Sequence, residues 1–220
     1  MQVVRGRKRE SMPGDALCAL IARFTGVTLD VGTGDGSFVY RYAREHPERL
    51  VVGLDPVAEN LREWSAKAAR KPERGGLGNA LYVVGSIEQP PEELKGVADE
   101  AFVTLPWGSL MRGLVLGDDM VLAGLASVMA RGGHVRIVIN TRIFDDPVPI
   151  EARDLPEPTP AYVRQTLAPR YAAHDLEITA VREIEADAVR ALGTTWAKRL
   201  SHRRPPPSIA FECVRRAMRS

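Results

Sequence analysis

Val27-Thr-Leu-Asp-Val-Gly-Thr-Gly-Asp-Gly-Ser37 is a run of strand-forming residues that stops at a cluster of glycines and acids before a new apolar pattern opens. Val27 to Val31 reads as a buried strand, the glycines as a tight turn, and Ser37 to about Glu45 as a helix stopped by Pro47. The same alternation continues downstream. Strands are predicted at Leu50 to Leu54, Leu81 to Val84, Ala101 to Thr104 and Gly133 to Asn140, followed by Leu176 to Ile184 and Ile209 to Val214. Helices fall between most of them: one opened by Asp55-Pro56, with Asp55 as N-cap, a short one near Glu92, one from Asp118 to Ala130, and one opened by Thr159-Pro160 and running toward Tyr171. Upstream, Val3 to Arg7 turns as a hairpin at Gly6, and Pro13 opens a helical pattern with Leu17, Leu20, Ile21 and Phe24 on one face. Seven strands with intervening helices predict a doubly wound, mostly parallel α/β sheet, whose ligands bind at the carboxyl ends of the strands.

With 220 residues, the chain suits a single domain spanning 1–220, with 1–12 as a hairpin extension and the proline-rich stretches 142–160 and 193–207 as linkers on the substrate side. Apolar residues at 45% and charged residues at 26% exclude collagen-like and disordered readings. Two cysteines, Cys18 and Cys213, are too few for a disulfide framework or a thiolate zinc site and are expected to be small buried hydrophobes in a reducing, cytoplasmic setting. His46, His134, His174 and His202 are dispersed, so no metal is expected. No apolar run approaches eighteen residues, so no membrane span is expected.

The net charge of +2 conceals a strong segregation. Residues 1–10, 62–74 and 198–219 together hold 16 basic residues against 4 acids, a net of +12 over 45 residues, while the remaining 175 carry −10. Basic clusters of this kind either form separate solvated faces or converge into one phosphate-binding patch. Aromatic residues are sparse among them, which favours a structured RNA or DNA backbone over a single-strand stacking groove.

The glycine turn narrows the ligand. A dinucleotide fingerprint is G-x-G-x-x-G, but counting from Gly32 the sixth position is Ser37, and the third glycine, Gly36, comes one residue early. Asp30 and Asp35 in the same loop oppose a pyrophosphate and welcome a cation. S-adenosylmethionine fits: it carries a sulfonium and an ammonium and no phosphate, Gly32 and Gly34 permit close backbone approach, and Asp55 at the end of the second strand suits ribose hydroxyls. The alternative is that Asp35 and Asp55 only cap helices. Glu88, after the third strand, stands where an acceptor for the adenine amine belongs. After the fourth strand, Leu105-Pro-Trp107-Gly-Ser109 puts a tryptophan on a loop at the carboxyl edge, and a second loop tryptophan, Trp196, precedes the last strand. Two such faces suit a flipped nucleobase, although rim packing is the plainer account of either alone.

Asp30-Val-Gly-Thr-Gly-Asp-Gly36, Leu105-Pro-Trp-Gly-Ser109, Ser65-Ala-Lys-Ala-Ala-Arg-Lys-Pro72 and Thr195-Trp-Ala-Lys-Arg-Leu200 together resemble the aminoglycoside-resistance methyltransferases, of the kanamycin/apramycin resistance type, that modify N1 of a decoding-site adenine in 16S ribosomal RNA. The likeness covers nearly the whole chain. It implies a class I methyltransferase fold, S-adenosylmethionine as methyl donor and the small ribosomal subunit as substrate. By the same resemblance Trp107 and Trp196 sandwich the flipped adenine. Asp30, Gly32, Asp55, Glu88, Leu105, Ser109 and Thr194 line the cosubstrate pocket, and Lys67, Lys71, Arg153, Arg199 and Arg204 contact RNA. No general base is assigned, because adenine N1 already presents an in-plane lone pair. A monomer is the simpler expectation for a protein that docks on a ribosomal surface. Two other readings stay open on the residues alone: a methyltransferase of planar metabolites, and a non-catalytic RNA-binding module.

Overall fold

In a computed structural model that describes residues 1–144, 152–184 and 208–217, the chain forms a nine-stranded sheet in the order β2-β1-β5-β4-β3-β6-β7-β9-β8. The parallel centre comprises β3 (Gly26–Val31), β4 (Arg49–Asp55), β5 (Ala80–Val84), β6 (Ala98–Thr104) and β7 (Met129–Asn140). Beyond β7, β9 (Ser208–Arg215) runs antiparallel to both β7 and β8 (Leu176–Ile184). At the other edge the hairpin β1 (Gln2–Arg5) and β2 (Lys8–Ser11) adds two strands to the expected seven, through Gln2↔Val84 and Val3↔Val83. The hairpin is part of the sheet because both its valines are buried. Successive strand residues point to opposite faces, so Val3 enters one core and Val4 the other. The outer strand β2 is fully exposed, and its Lys8, Arg9 and Glu10 discourage further strand pairing.

The strand β4 shows why the sheet is covered on both faces. Its Leu50, Val52 and Leu54 join a core with α1 (Gly14–Ile21), α4 (Gly108–Leu116) and α5 (Asp119–Val128). Its Val51 joins a second core with Val39, Tyr40 and Ala43 of α2 (Ser37–Glu45) and with Ala58 and Leu61 of α3 (Ala58–Ala68). The last helical run starts at α6 (Pro160–Tyr162), where the Thr159 hydroxyl accepts from the Tyr162 N–H, and continues through a π turn at Val163–Leu167 into α7 (Ala168–Ala173). Pro169 brings no N–H and crowds the carbonyl four residues back, and a local wide turn relieves both problems.

Several expectations are corrected. Asp55 does not cap α3; it ends β4, and Val57 holds the cap position. The stretch Thr104 to Leu110 is loop only as far as Trp107, because Gly108 opens α4. The predicted Asp118–Ala130 helix ends at Val128, and β7 starts at Met129. Asp118 does cap α5, accepting from the Met120 and Val121 N–H groups. Cys213 is buried, whereas Cys18 is exposed. The proline-rich 142–160 stretch is more than rim, since Ala152 and Leu155 are buried in the larger core.

Candidate active site

The glycine turn is fastened to the neighbouring strand before any ligand is considered. The Gly32 and Thr33 N–H groups both donate to the Leu54 carbonyl, at 2.8 and 3.1 Å. Gly36 has φ +77°, and a Cβ there would lie 2.5 Å from Tyr82 Cε1, so both backbone and packing demand glycine. Gly34, at φ +59°, is the opposite case: a Cβ would meet nothing within 4 Å, because this residue faces open space. Its N–H donates to Asp55 Oδ2 at 3.0 Å, and the Val57 N–H donates to Asp55 Oδ1 at 2.9 Å. One carboxylate thus ties the first loop to the second. Burial raises its pKa, and those two backbone donors and the Asn60 side chain oppose the rise. Asp35 does not cap α2 either: it accepts from the Ser37 N–H at 2.9 Å, but Gly36 holds the cap position.

These loops bound a cleft of about 640 Å³ at the carboxyl ends of β3 to β6. That size is in the usual range for small-ligand sites. Gly32, Gly34, Asp55, Glu88, Leu105, Trp107 and Ser109 all line it, so most of the residues selected from the sequence converge on one wall system. Ser109 Oγ donates to Glu88 Oε1 at 3.1 Å, closing the far side. Among the described residues the lining contains two carboxylates and neither lysine nor arginine. Such a site disfavours a phosphate and suits a cationic ligand. Sequence reasoning missed Val57, Asn60 and Leu110, which also line it. Reading Asp55-Pro56 as a helix start hid Val57; its 45% exposure, unusual for a valine beside a helix, is the signal that it faces a ligand.

Asp30 is not on the wall. Strand alternation sends Val31 to the cleft and turns Asp30 the other way, where it is 4% exposed and feels Thr33, Asp35 and Arg41. Burial pushes its pKa up to about 7; the Asp55 and Asp35 carboxylates add to this, while the Thr33 hydroxyl and Arg41 hold it back.

The chain leaves β6 through a strained corner. Leu105 donates its N–H to the Val138 carbonyl at 2.8 Å and then adopts φ +53°, a left-handed conformation costing a branched residue about 1–2 kcal/mol. The corner rests on a floor of Val138 and Ala210, with Ile184 against it. From it Trp107 projects with 47% of its surface exposed, at the cap position of α4. Trp196 and Thr194 lie outside the described residues. The residues that flank their segment, Ile184 and Ser208, are paired across β8 and β9, and Ile184 packs beneath the Trp107 corner.

The expected RNA contacts divide similarly. Lys67 Nζ stands 4.4 Å from the Tyr40 ring centre and 4.5 Å from that of Trp64, a cation–π cradle, and Tyr40 in turn donates to the Gly75 carbonyl. Lys71 and Arg153 are exposed. Arg199 and Arg204 lie outside the described residues. Among the described residues no three metal-ligating side chains converge, and no helix is long and apolar enough to cross a membrane.

Comparison with known proteins follows the same lines. The family described as NpmA, 16S rRNA (adenine(1408)-N(1))-methyltransferase, matches residues 2–214. A 16S rRNA (adenine(1408)-N(1))-methyltransferase of Streptoalloteichus hindustanus is 43% identical over 185 residues, covering 84% of this chain and 85% of its own. A variant of the enzyme of that name from Catenulisporales acidiphilia, solved with cosubstrate SAM, superposes with a TM-score of 0.93 at 38% identity, covering 100% of this chain and 99% of its own. The antibiotic-resistance methyltransferase Kmr superposes with a TM-score of 0.81 at 36% identity, over 98% and 100% of the two chains. A chain matched over nearly its full length in both sequence and fold belongs to the 16S rRNA (adenine(1408)-N(1))-methyltransferase family.

Proposed function

We propose that this protein, a single methyltransferase domain, moves the methyl group of S-adenosylmethionine to N1 of adenine 1408 in 16S ribosomal RNA. It acts as a cytoplasmic monomer on the small ribosomal subunit, and the modification gives aminoglycoside resistance. One observation carries the reading: an acid-lined cleft, without basic residues among those described, opens directly onto an exposed tryptophan held on a strained corner. The cosubstrate supplies an activated methyl on a sulfonium. The chain's part is to hold both reactants. Gly32 and Gly34 let the ligand approach the backbone, Asp55 accepts from ribose hydroxyls in place of the Gly34 and Val57 N–H groups it now binds, and Glu88 and Ser109 face the adenine end. Asp30, buried behind the turn, acts as a negative field under the cationic end.

Trp107 and Trp196 sandwich the flipped target adenine, while Lys67, Lys71, Arg153, Arg199 and Arg204 hold RNA phosphates. The stretches 142–160 and 193–207 serve as substrate-side linkers. The adenine N1 lone pair forms the new N–C bond as the S–C bond breaks, and the positive charge passes from sulfur to the base. No proton leaves N1, so positioning rather than base catalysis is what the residues must supply. The test is transfer from labelled S-adenosylmethionine to purified small subunits, beside naked 16S RNA, mapped by primer extension. A stop at adenine 1408 is expected with intact subunits; absence of incorporation while the cosubstrate binds overturns the reading.

A further inference from the structure

The sheet carries a second concavity, of about 490 Å³, at the end opposite the cleft. The helix α3 connects the two. Its first turn gives Asn60 to the cleft and its last gives Ala68 to the concavity, about 12 Å away for eight residues at 1.5 Å each. Three structural elements meet there: the hairpin through Arg5, the chain just after α1 through Arg23, and the chain just after α3 through Arg70. Among the described residues no acid lines it. Arg9 and Arg62 both pair with Glu59, whereas Arg5, Arg23 and Arg70 have no carboxylate partner among the described residues. Three guanidinium groups around one hollow repel one another unless an anion sits between them.

The backbone beneath these arginines is fixed. Gly6 N–H donates to Ser65 Oγ at 2.8 Å and Ser65 Oγ donates to the Val4 carbonyl at 2.7 Å, so one buried serine of α3 grips the hairpin on both sides of Arg5. Leu77 N–H donates to the Ala68 carbonyl at 2.8 Å, folding the following loop back, and a Cβ on Gly76 would fall 1.7 Å from the Arg70 carbonyl oxygen. The three arginines are exposed. A buried metabolite site would enclose its ligand; an open hollow rimmed by arginines suits a phosphate on a strand passing over it.

We infer that this concavity is an accessory docking site for backbone phosphates of the ribosomal RNA, with the hairpin as one wall. The inference rests on the RNA-methyltransferase reading above. Its test uses the full chain carrying R5A, R23A and R70A together, with KM and kcat for small subunits measured from low to moderate salt. The expected result is a KM raised at least tenfold, a salt slope smaller by about 2, given a slope of roughly 0.7–0.9 per phosphate contact, and a cosubstrate Kd within twofold of the parent.

Arg23→Glu alone guards against a folding defect, because Arg23 lies outside both cores with its guanidinium 5.8 Å from the Phe24 ring; its KM should rise about tenfold with an unchanged melting temperature. Arg131→Ala, which removes a single positive charge on the opposite half of the sheet, should alter KM less than twofold. Unchanged KM and slope in the triple variant, while Lys67→Ala still raises KM, overturn the docking site and leave the RNA reading standing. An Arg131→Ala effect as large as that of the triple variant also overturns it. A parent protein that methylates no subunits removes both.

Discussion

The two ends of α3 face opposite chemistries. Among the described residues, the cleft at its start is lined by Asp55 and Glu88 with no basic residue, and the concavity at its end is lined by Arg5, Arg23 and Arg70 with no acid. A net charge of +2 is therefore the sum of two separated fields, one suited to a cationic cosubstrate and one to a polyanion. This separation has a direct use. A uniformly basic surface would repel the sulfonium, and a uniformly acidic one would repel RNA.

The largest expected effect comes from the exposed tryptophan at the mouth of the acid-lined cleft. Trp107→Ala should lower methyl transfer to small subunits at least 100-fold while leaving the cosubstrate Kd within a few-fold, since stacking contributes about 1–3 kcal/mol per base and correct placement of N1 multiplies that loss. Trp107→Phe should recover part of it. Transfer by Trp107→Ala at the parental rate would remove the tryptophan from the base site. Salt separates the two ends next. Raising it from 50 to 200 mM should weaken subunit binding by roughly 100-fold if about five phosphates are contacted, while calorimetry should find cosubstrate binding changed less than threefold. Equal sensitivity of the two ligands would collapse the comparison.

A smaller change is expected at the acid end. Asp55→Asn retains one acceptor for the Gly34 and Val57 N–H groups but removes the charge and the second acceptor, so cosubstrate Kd should rise about tenfold, roughly 1.4 kcal/mol. Subunit binding in the absence of cosubstrate should be untouched. Loss of subunit affinity instead would mean that the acid end also shapes the docking face.

How much of this was legible in the sequence differs between the two ends for physical reasons. The cleft was readable because a parallel strand must end in a turn, and that turn's glycines and acids stand next to one another along the chain. Gly32, Gly34, Asp55, Glu88 and Trp107 were found by that logic, Leu105 and Ser109 through the family resemblance, and all line it. Asp30 escaped it, because in a strand covered on both faces the alternation that turns a side chain to one face or the other carries no polarity signal until the packing is known. The concavity was only partly readable, for a different reason. Arg5 and Arg70 belong to two basic windows whose convergence the sequence left open, and Arg23, 18 residues from the one and 47 from the other, lies outside every window. Only the pairing of β1 with β5 and the grip of Ser65 on the hairpin bring them together. Even the hairpin was visible only as a turn at Gly6, since nothing in a four-residue strand names its partner.

Asp30 offers the finest probe of the acid end. With its folded-state pKa raised to about 7 from 3.8, the native chain keeps a proton that the unfolded chain has released. The contribution of this one group to stability is therefore largest below about pH 4, falls as pH rises toward 7, and is flat beyond, where the carboxylate is ionised in both states. Asp30→Asn removes the buried charge, so it should raise the stability of the cosubstrate-free protein at pH 8 by roughly 2–4 kcal/mol and change it little at pH 4, as read by denaturant unfolding at both. A cationic ligand in front of the turn favours the ionised form. Cosubstrate affinity should accordingly increase severalfold between pH 6 and pH 8 in the parent and stay level in Asp30→Asn. Parallel pH profiles for the two proteins would show that the buried carboxylate does not sense the ligand, and the field at that end would then belong to Asp55 and Glu88 alone.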